Sequence, residues 1–320
     1  MPNNLDMGGF ATSGAPLFPL LSSRWTRLVD PTPARSNVAI GLVSDMTTIG
    51  PAFSLQLPDG GIRGGNVRGN YACDLQTYRF SASEVASGDY SFMAGRGCTA
   101  SGAGSVALGS QSLANAATAT AIGDGCQATG QSAASIGAFC SSSGTASVAL
   151  GNTTTASGSS SFAYGRQSTT RGLTGAVACA AGQRSALGDA QHMEQIVRAT
   201  TTDATTTTLT AGGAAAGSTT VMVLPNNSHV AGLVTITARD SAGNSASWLI
   251  FARVSRGANA ASTAVDFQTT VASDLSATLA ATTAVIAADT TSGALIVSAT
   301  GIAATTIDWI ADPQLLQIVR

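Results

Sequence analysis

Between residues 86 and 172 the apolar and polar positions recur with a period of 14. Gly95, Gly109, Gly123, Gly137, Gly151 and Gly165 stand 14 apart without a slip, each closing a short apolar run: SVALG at 105–109 and 147–151, TAIG at 120–123, SFAYG at 161–165. Half a period away lie Gly88, Gly102, Gly130, Gly144, Gly158 and Gly172, with Ala116 in the one gap, several of them closing an ASG-like corner. A fixed short period of this kind predicts a solenoid.

The pattern predicts a coil of two short strands and two turns. Strand residues alternate between faces. Val106 therefore shares a face with Leu108, Val148 with Leu150, and Phe162 with Tyr164, while Ser105, Ala107 and Gly109 take the other. The larger pair is expected to supply the buried apolar side of each coil, with glycine at corners that need φ > 0. The Ala/Ser side is small and flat, which suits close approach by another chain. Coils stacked at the inter-strand spacing, about six of them, would make a rod of roughly 30 Å. A single coil is too thin to hold itself, so an intertwined homotrimer of parallel β-rolls is expected, each chain having two neighbours.

The flanks read differently. Residues 1–60 contain seven prolines and form an irregular arm, in which Leu17, Phe18, Leu20 and Trp25 make an apolar, non-periodic anchor segment. Residues 61–190 comprise a Gly-rich cap and the roll, with the cap covering the exposed strand edges of the first coil. Residues 191–320 hold ten runs of alternating β-formers separated by turn signals, including a hairpin loop at Asp240–Asn244. That spacing predicts a β-sandwich or jelly roll. The whole chain is therefore expected to be all-β.

Composition agrees with a fibrous repeat. Charged residues make up 10% of the chain. An ordinary soluble domain has about 25%. Every basic residue is Arg. The net charge of −2 gives no electrostatic case for nucleic acid, so no nucleic-acid partner is expected. No stretch approaches the ~20 apolar residues of a membrane helix, and no export signal is read at the N-terminus, so no membrane insertion is expected.

Reactive chemistry is poorly supplied: two His (His192, His229), two Glu and no Lys. A Ser–His–Asp triad would have to use one of these histidines, and no G-x-S-x-G elbow precedes a helix. A glycosidase needs paired carboxylates, which loop aspartates across a trimer cleft would have to provide. Cys98, Cys126 and Cys140 share one repeat position, filled elsewhere by Ser112, Thr154 and Ser168, and are expected to be inert packed thiols. No CxxC and no metal-ligand spacing is present, so no catalytic residue, metal or cofactor is expected and the chain reads as a non-enzyme. Polar loops at 225–229, 240–245 and 255–262 nominate Asn226, Asn227, His229, Asn244 and Arg256 as ligand contacts. Trp248, Phe251, Phe267 and Trp309 sit in alternating strands and are expected mostly in the core, with one or two lining a sugar-stacking surface, and Trp248 is nominated with the loop residues.

The S-x-A-x-G / A-S-G alternation resembles the head repeats of trimeric autotransporter adhesins, which form a left-handed parallel β-roll trimer. The segment RGNYACDLQT at 68–77, with VASGDYS at 85–91, resembles the entry segment of tailed-bacteriophage fibre proteins, which carry the same repeats. Arg239, Gly243 and Trp248, with the 293–309 stretch, are similar to a module at the C-termini of such fibres. The resemblance implies a homotrimeric virion fibre or spike, assembled in the host cytoplasm. Its partners would be itself, other virion proteins through the arm, and a host-surface glycan or protein. A head or neck decoration and a glycan depolymerase are the alternatives.

Overall fold

The computed structural model describes residues 41–44, 53–56 and 66–320. Leu17, Phe18, Leu20 and Trp25 lie outside them. The described residues are almost entirely strand and turn. β1 (Gly41–Ser44) pairs antiparallel with β2 (Phe53–Gln56), which runs parallel to β3 (Cys73–Tyr78). Long and short strands then alternate: β4 (Phe92–Arg96), β5 (Thr99–Ala100), β6 (Val106–Ser110), β7 (Leu113–Ala114), β8 (Thr120–Asp124), β9 (Gln127–Ala128), β10 (Ala134–Ala138), β11 (Ser141–Ser142), β12 (Val148–Asn152), β13 (Thr155–Ala156) and β14 (Phe162–Arg166). The even-numbered strands from β4 to β14 pair in parallel, and the odd-numbered strands from β5 to β13 form a second parallel ladder. Each residue meets its equivalent one full repeat further on, as in Val106↔Thr120 and Leu113↔Gln127. This is a parallel β-solenoid of about six turns.

The interior reverses the expected assignment of faces. Ala107, Ala121, Ser135, Ala149 and Ala163 of the long strands are fully buried, facing Ala100, Ala114, Ala128, Ser142 and Ala156 of the short ones. The larger residues point outward, and Phe92, Ile136, Leu150 and Tyr164 are exposed. The reason is the width of the coil. Opposed pairs of small residues fill the gap between the ladders in every coil but the first, where Met93 takes the position of Ala107 and is fully buried. The small face forms the core.

The cysteine slot is also interior, and its composition has a cause. Cys98, Ser112, Cys126 and Cys140 each donate to the carbonyl of the next coil's glycine: to Gly109 at 3.4 Å, Gly123 at 3.1 Å, Gly137 at 3.2 Å and Gly151 at 3.2 Å. The slot needs a small side chain with one donor, a requirement met equally by a thiol or a hydroxyl. Burial raises the Cys98 thiol above its ordinary pKa. The hydrogen bond to Cys140, and then burial, raise that of Cys126.

At the first coil, Asp74 is fully buried and accepts from Arg68 at 3.0 Å and from Arg79 at 2.7 Å. Gln76 bonds the Glu84 carbonyl and accepts from the Cys98 amide at 3.1 Å. These bonds tie residues 66–84 across the end of the roll.

At the other end the period slips by one residue, with Phe162 opposite Val177, as β15 (Ala176–Ala181) closes the parallel run. β16 (Ala190–Gln195) then pairs antiparallel to β15. The remaining strands are β17 (Val197–Thr201), β18 (Thr206–Leu209), β19 (Met222–Val223), β20 (Ser228–Asp240), β21 (Ser245–Arg256), β22 (Thr263–Leu275), β23 (Thr283–Asp289), β24 (Ala294–Thr300) and β25 (Ile307–Val319). The roll's own sheet continues without a break as β15-β16-β25-β20-β21-β22, with β17 beside β25. A separate antiparallel sheet of β18, β19, β23 and β24 shares a core with it. Val234, Ile236, Trp248, Ile250 and Trp309 belong to that core, together with Leu209, Ile286, Leu295 and Val297 from the smaller sheet.

Residues 191–320 are thus joined to the roll through one sheet. The 306–310 and 315–319 runs, read as two strands, are the single strand β25.

Candidate functional site

In β20 and β21 alternate residues line the core, so the intervening residues share one outward face, which β22, exposed along most of its length, extends at the sheet edge. Cross-strand pairs set His229 opposite Ser255, Leu233 opposite Phe251, and Arg253 opposite Phe267. A β-bulge interrupts the register between Arg253/Val254 and their β22 partners, leaving Asp266 as an extra residue. Bulges bend a strand and re-aim side chains. Here the Asp266 carboxylate joins the outward face, where Oδ1 accepts from Ser255 Oγ at 2.8 Å. Oδ2 lies 3.6 Å from His229 Nδ1 and 4.0 Å from Arg253 Nε. The rings of Phe251 and Phe267 stand 6.3 Å apart at 56°, and Phe267 is 48% exposed. A carboxylate, a guanidinium, an imidazole and an open aromatic ring thus share one patch.

The wiring differs from that of an activated serine. Ser255 bonds to the carboxylate and not to the imidazole, and the His–Asp separation exceeds a hydrogen bond. Its inventory is that of a binding surface.

Of the residues nominated from the sequence, His229 lies in this patch and Asn226 and Asn227 adjoin it, both exposed. The Asn227 carbonyl accepts from the Arg320 amide at 2.9 Å. Asn244 sits at the far end of the β20–β21 hairpin, about 37 Å away at the usual strand rise. Its backbone and side-chain amides both donate to Asp240, at 2.8 Å each. The side-chain bond from Asn244 is the chief reason that the Asp240 carboxyl lies below its ordinary range. Trp248 is buried and stacks on Trp309 at 5.5 Å, so it belongs to the core. Arg256 turns inward, donating to the carbonyls of Leu224, Ser292 and Gly293, and binds two loops together.

Arg253, Ser255 and Asp266 escape sequence reasoning because they occupy strands, whereas polar loops drew most of the nominations; Phe267 was legible only as one of four aromatics, most of them expected in the core. The signal was present as an outward Phe-x-Arg-x-Ser series at 251–255 beside Asp266-Phe267, where the alternation of β22 breaks.

A second surface runs along the roll. Phe92, Val106, Leu108, Ile122, Ile136, Leu150, Phe162 and Tyr164 form a continuous outward column. It continues through Val177 and Cys179 to His192 and Glu194 of β16. Among the described residues no helix is long and apolar enough to cross a membrane. Nor, among them, is any group of three or more His, Cys, Asp or Glu side chains placed to hold a metal ion.

No family model matches this chain, and no curated protein matches it. Among solved structures it is similar to the tailspike protein of Acinetobacter phage vB_ApiP_P1, at 10% identity and a TM-score of 0.22. The match covers 81% of this chain and 58% of that one. The chain therefore spans less than two thirds of that tailspike's length.

Proposed function

We propose that this chain is the subunit of a homotrimeric bacteriophage virion appendage, a fibre or spike, that attaches to the host surface through its C-terminal region. The observation that carries the reading is the outward apolar column of the roll. The coil interior is already filled by Ala, Ser and Cys, with Met93 in the first coil, so the described chain has nothing of its own to place over Ile122, Ile136 and Leu150. Exposed apolar stripes of this length mark interaction sites, and stacked copies of one chain have matching columns. The repeat and the fibre-like entry segment support the virion setting. The arm with Leu17, Phe18, Leu20 and Trp25 is its attachment to other virion proteins, and three weak distal sites on one rigid body gain strength by avidity. The surface described on β20–β22 serves attachment without cleavage.

Native mass spectrometry tests the assembly. The chain mass is 31.6 kDa. A threefold assembly should appear at about 95 kDa, and an Ile136→Asp/Leu150→Asp variant should fall towards the single-chain mass. A wild-type mass of one chain would overturn the trimer. Labelled full-length protein should also bind intact host cells. The chain is best tested whole, because β16 and β25 extend the sheet of the roll and truncation before them would leave β15 paired on its β14 side alone.

A further inference from the structure

We infer that the outward face of β20–β22 is a binding site for a neutral pyranose sugar, centred on Arg253, Asp266 and Phe267. The inference deepens the attachment reading and rests on it for its biological setting. The three residues are immediate neighbours. Arg253 and Phe267 are directly opposed, and the bulge sets Asp266 beside them. Direct opposition puts two Cβ atoms roughly 5 Å apart.

The hydrogen-bonding state of the patch selects the ligand class. Ser255 fixes one oxygen of Asp266. Among the described residues the other has no donor within hydrogen-bond range, His229 Nδ1 being 3.6 Å away and Arg253 Nε 4.0 Å. The carboxylate is therefore held in place with an acceptor to spare. Arg253 is half exposed and offers several N–H donors. A sugar hydroxyl both donates and accepts, so a pair on adjacent carbons can give a proton to Asp266 and accept one from Arg253. An anionic ligand gains the Arg253 guanidinium but meets the Asp266 carboxylate, and a cationic one the reverse, so neither sign of charge is favoured outright. A neutral polyol meets neither repulsion. The exposed Phe267 ring, propped by Phe251, supplies an apolar platform for the C–H face of the sugar ring.

The patch lies on the same sheet face as the roll's apolar column, in the row Tyr164, Cys179, His192, Leu316, Ala231, Arg253 and Phe267. Four inter-strand steps separate β16 from β22. The usual twist of roughly 20° per step rotates the face by about 80° over that distance.

Saturation-transfer NMR on the full-length protein tests the site. The probes are methyl β-galactopyranoside, methyl α-glucopyranoside and methyl α-mannopyranoside, with galacturonate and galactosamine as charged counterparts. At least one neutral glycoside should show transfer to its ring protons, with affinity near the millimolar range expected of a single weak site. Transfer should fall more than about five-fold in Phe267→Ala and in Asp266→Asn, and stay unchanged in Asn244→Ala at the far end of the hairpin. Unchanged unfolding temperatures of these surface variants would show that folding is intact. The inference is overturned if no neutral glycoside shows transfer, if transfer survives both substitutions, or if only a charged sugar binds. Cell binding separates this inference from the broader reading. If glycosides bind but cells do not, the site stands and attachment fails. If cells bind equally well with Phe267→Ala, attachment stands and the site fails.

Discussion

The Cα of Gly137 faces the backbone of Gly151 so closely that a Cβ built on it would lie 2.0 Å from the Gly151 oxygen. The same relationship recurs from Gly95 to Gly151, with φ between +110° and +131°. Two requirements coincide there, a positive φ and the absence of a side chain. Gly137→Ala should therefore cost more than about 3 kcal/mol, because the obstacle is backbone and cannot move aside. Thermal unfolding of the variant checks this; a melting temperature within a degree or two of wild type would contradict it.

The buried thiols should be silent in the native protein. Cys98, Cys126 and Cys140 have no exposed surface, and burial raises the Cys98 thiol, so both access and thiolate are lacking there. Alkylation followed by peptide mass spectrometry should label none of the three until the protein unfolds. Cys73 and Cys179, which are partly exposed, are the two that should react in a dissociated chain. Rapid native labelling of Cys126 would show that the roll interior is open.

Trp309 Nε1 donates to Thr201 Oγ1 at 2.9 Å inside the core. Thr201→Val preserves shape but leaves the indole N–H without an acceptor, at a cost of about 1–3 kcal/mol. Trp309→Ala also removes the stack on Trp248. It should cost about 3–5 kcal/mol. Denaturant titration should rank them in that order. A smaller loss for Trp309→Ala would mean that the two sheets do not share this core.

Asp189 ties the loop after β15 to the rest of the chain. Burial alone would raise its carboxyl. The amides of Arg184, Ser185 and Ala186 and the Ser185 hydroxyl outweigh that effect and hold it well below the ordinary carboxylate range. A carboxyl with a lower pKa in the folded state stabilises above its unfolded pKa, about 3.9, and loses that contribution as pH falls below it. The melting temperature should therefore drop as the pH falls from about 5 to about 3. Asp189→Asn should lower it at neutral pH and flatten that acid slope, which calorimetry across the pH range measures. An unchanged slope would assign the acid sensitivity elsewhere.

The period of the roll was legible because a solenoid repeats its constraints. Every coil needs the same close approach at the same glycine, so Gly95 to Gly165 record the register directly. The direction of the faces was not legible. Alternation divides Val106 and Leu108 from Ser105 and Ala107, but which set points inward depends on the gap between the two ladders. The corners show a similar limit. Left-handed φ falls at Gln111, Thr118, Ser132, Phe139, Ala146 and Thr153, which lie between the two glycine series. The second glycine series is required by close approach instead, as Gly144 against the Gly158 carbonyl shows.

By itself, then, the sequence determined the architecture that depends on neighbours along the chain: an all-β fold, coils of one fixed length, and a change of character near residue 190. Only the tertiary structure decided which face of the coil is core, because that rests on the distance between non-adjacent strands. It alone joined β15 to β16 and β25, making the C-terminal region an extension of the roll's sheet. It alone assembled Arg253, Asp266 and Phe267, because their meeting depends on strand pairing and on a bulge that shifts one residue from its alternating place. Local periodicity is written in covalent order, whereas cross-strand neighbours are set by the register in which distant segments pair.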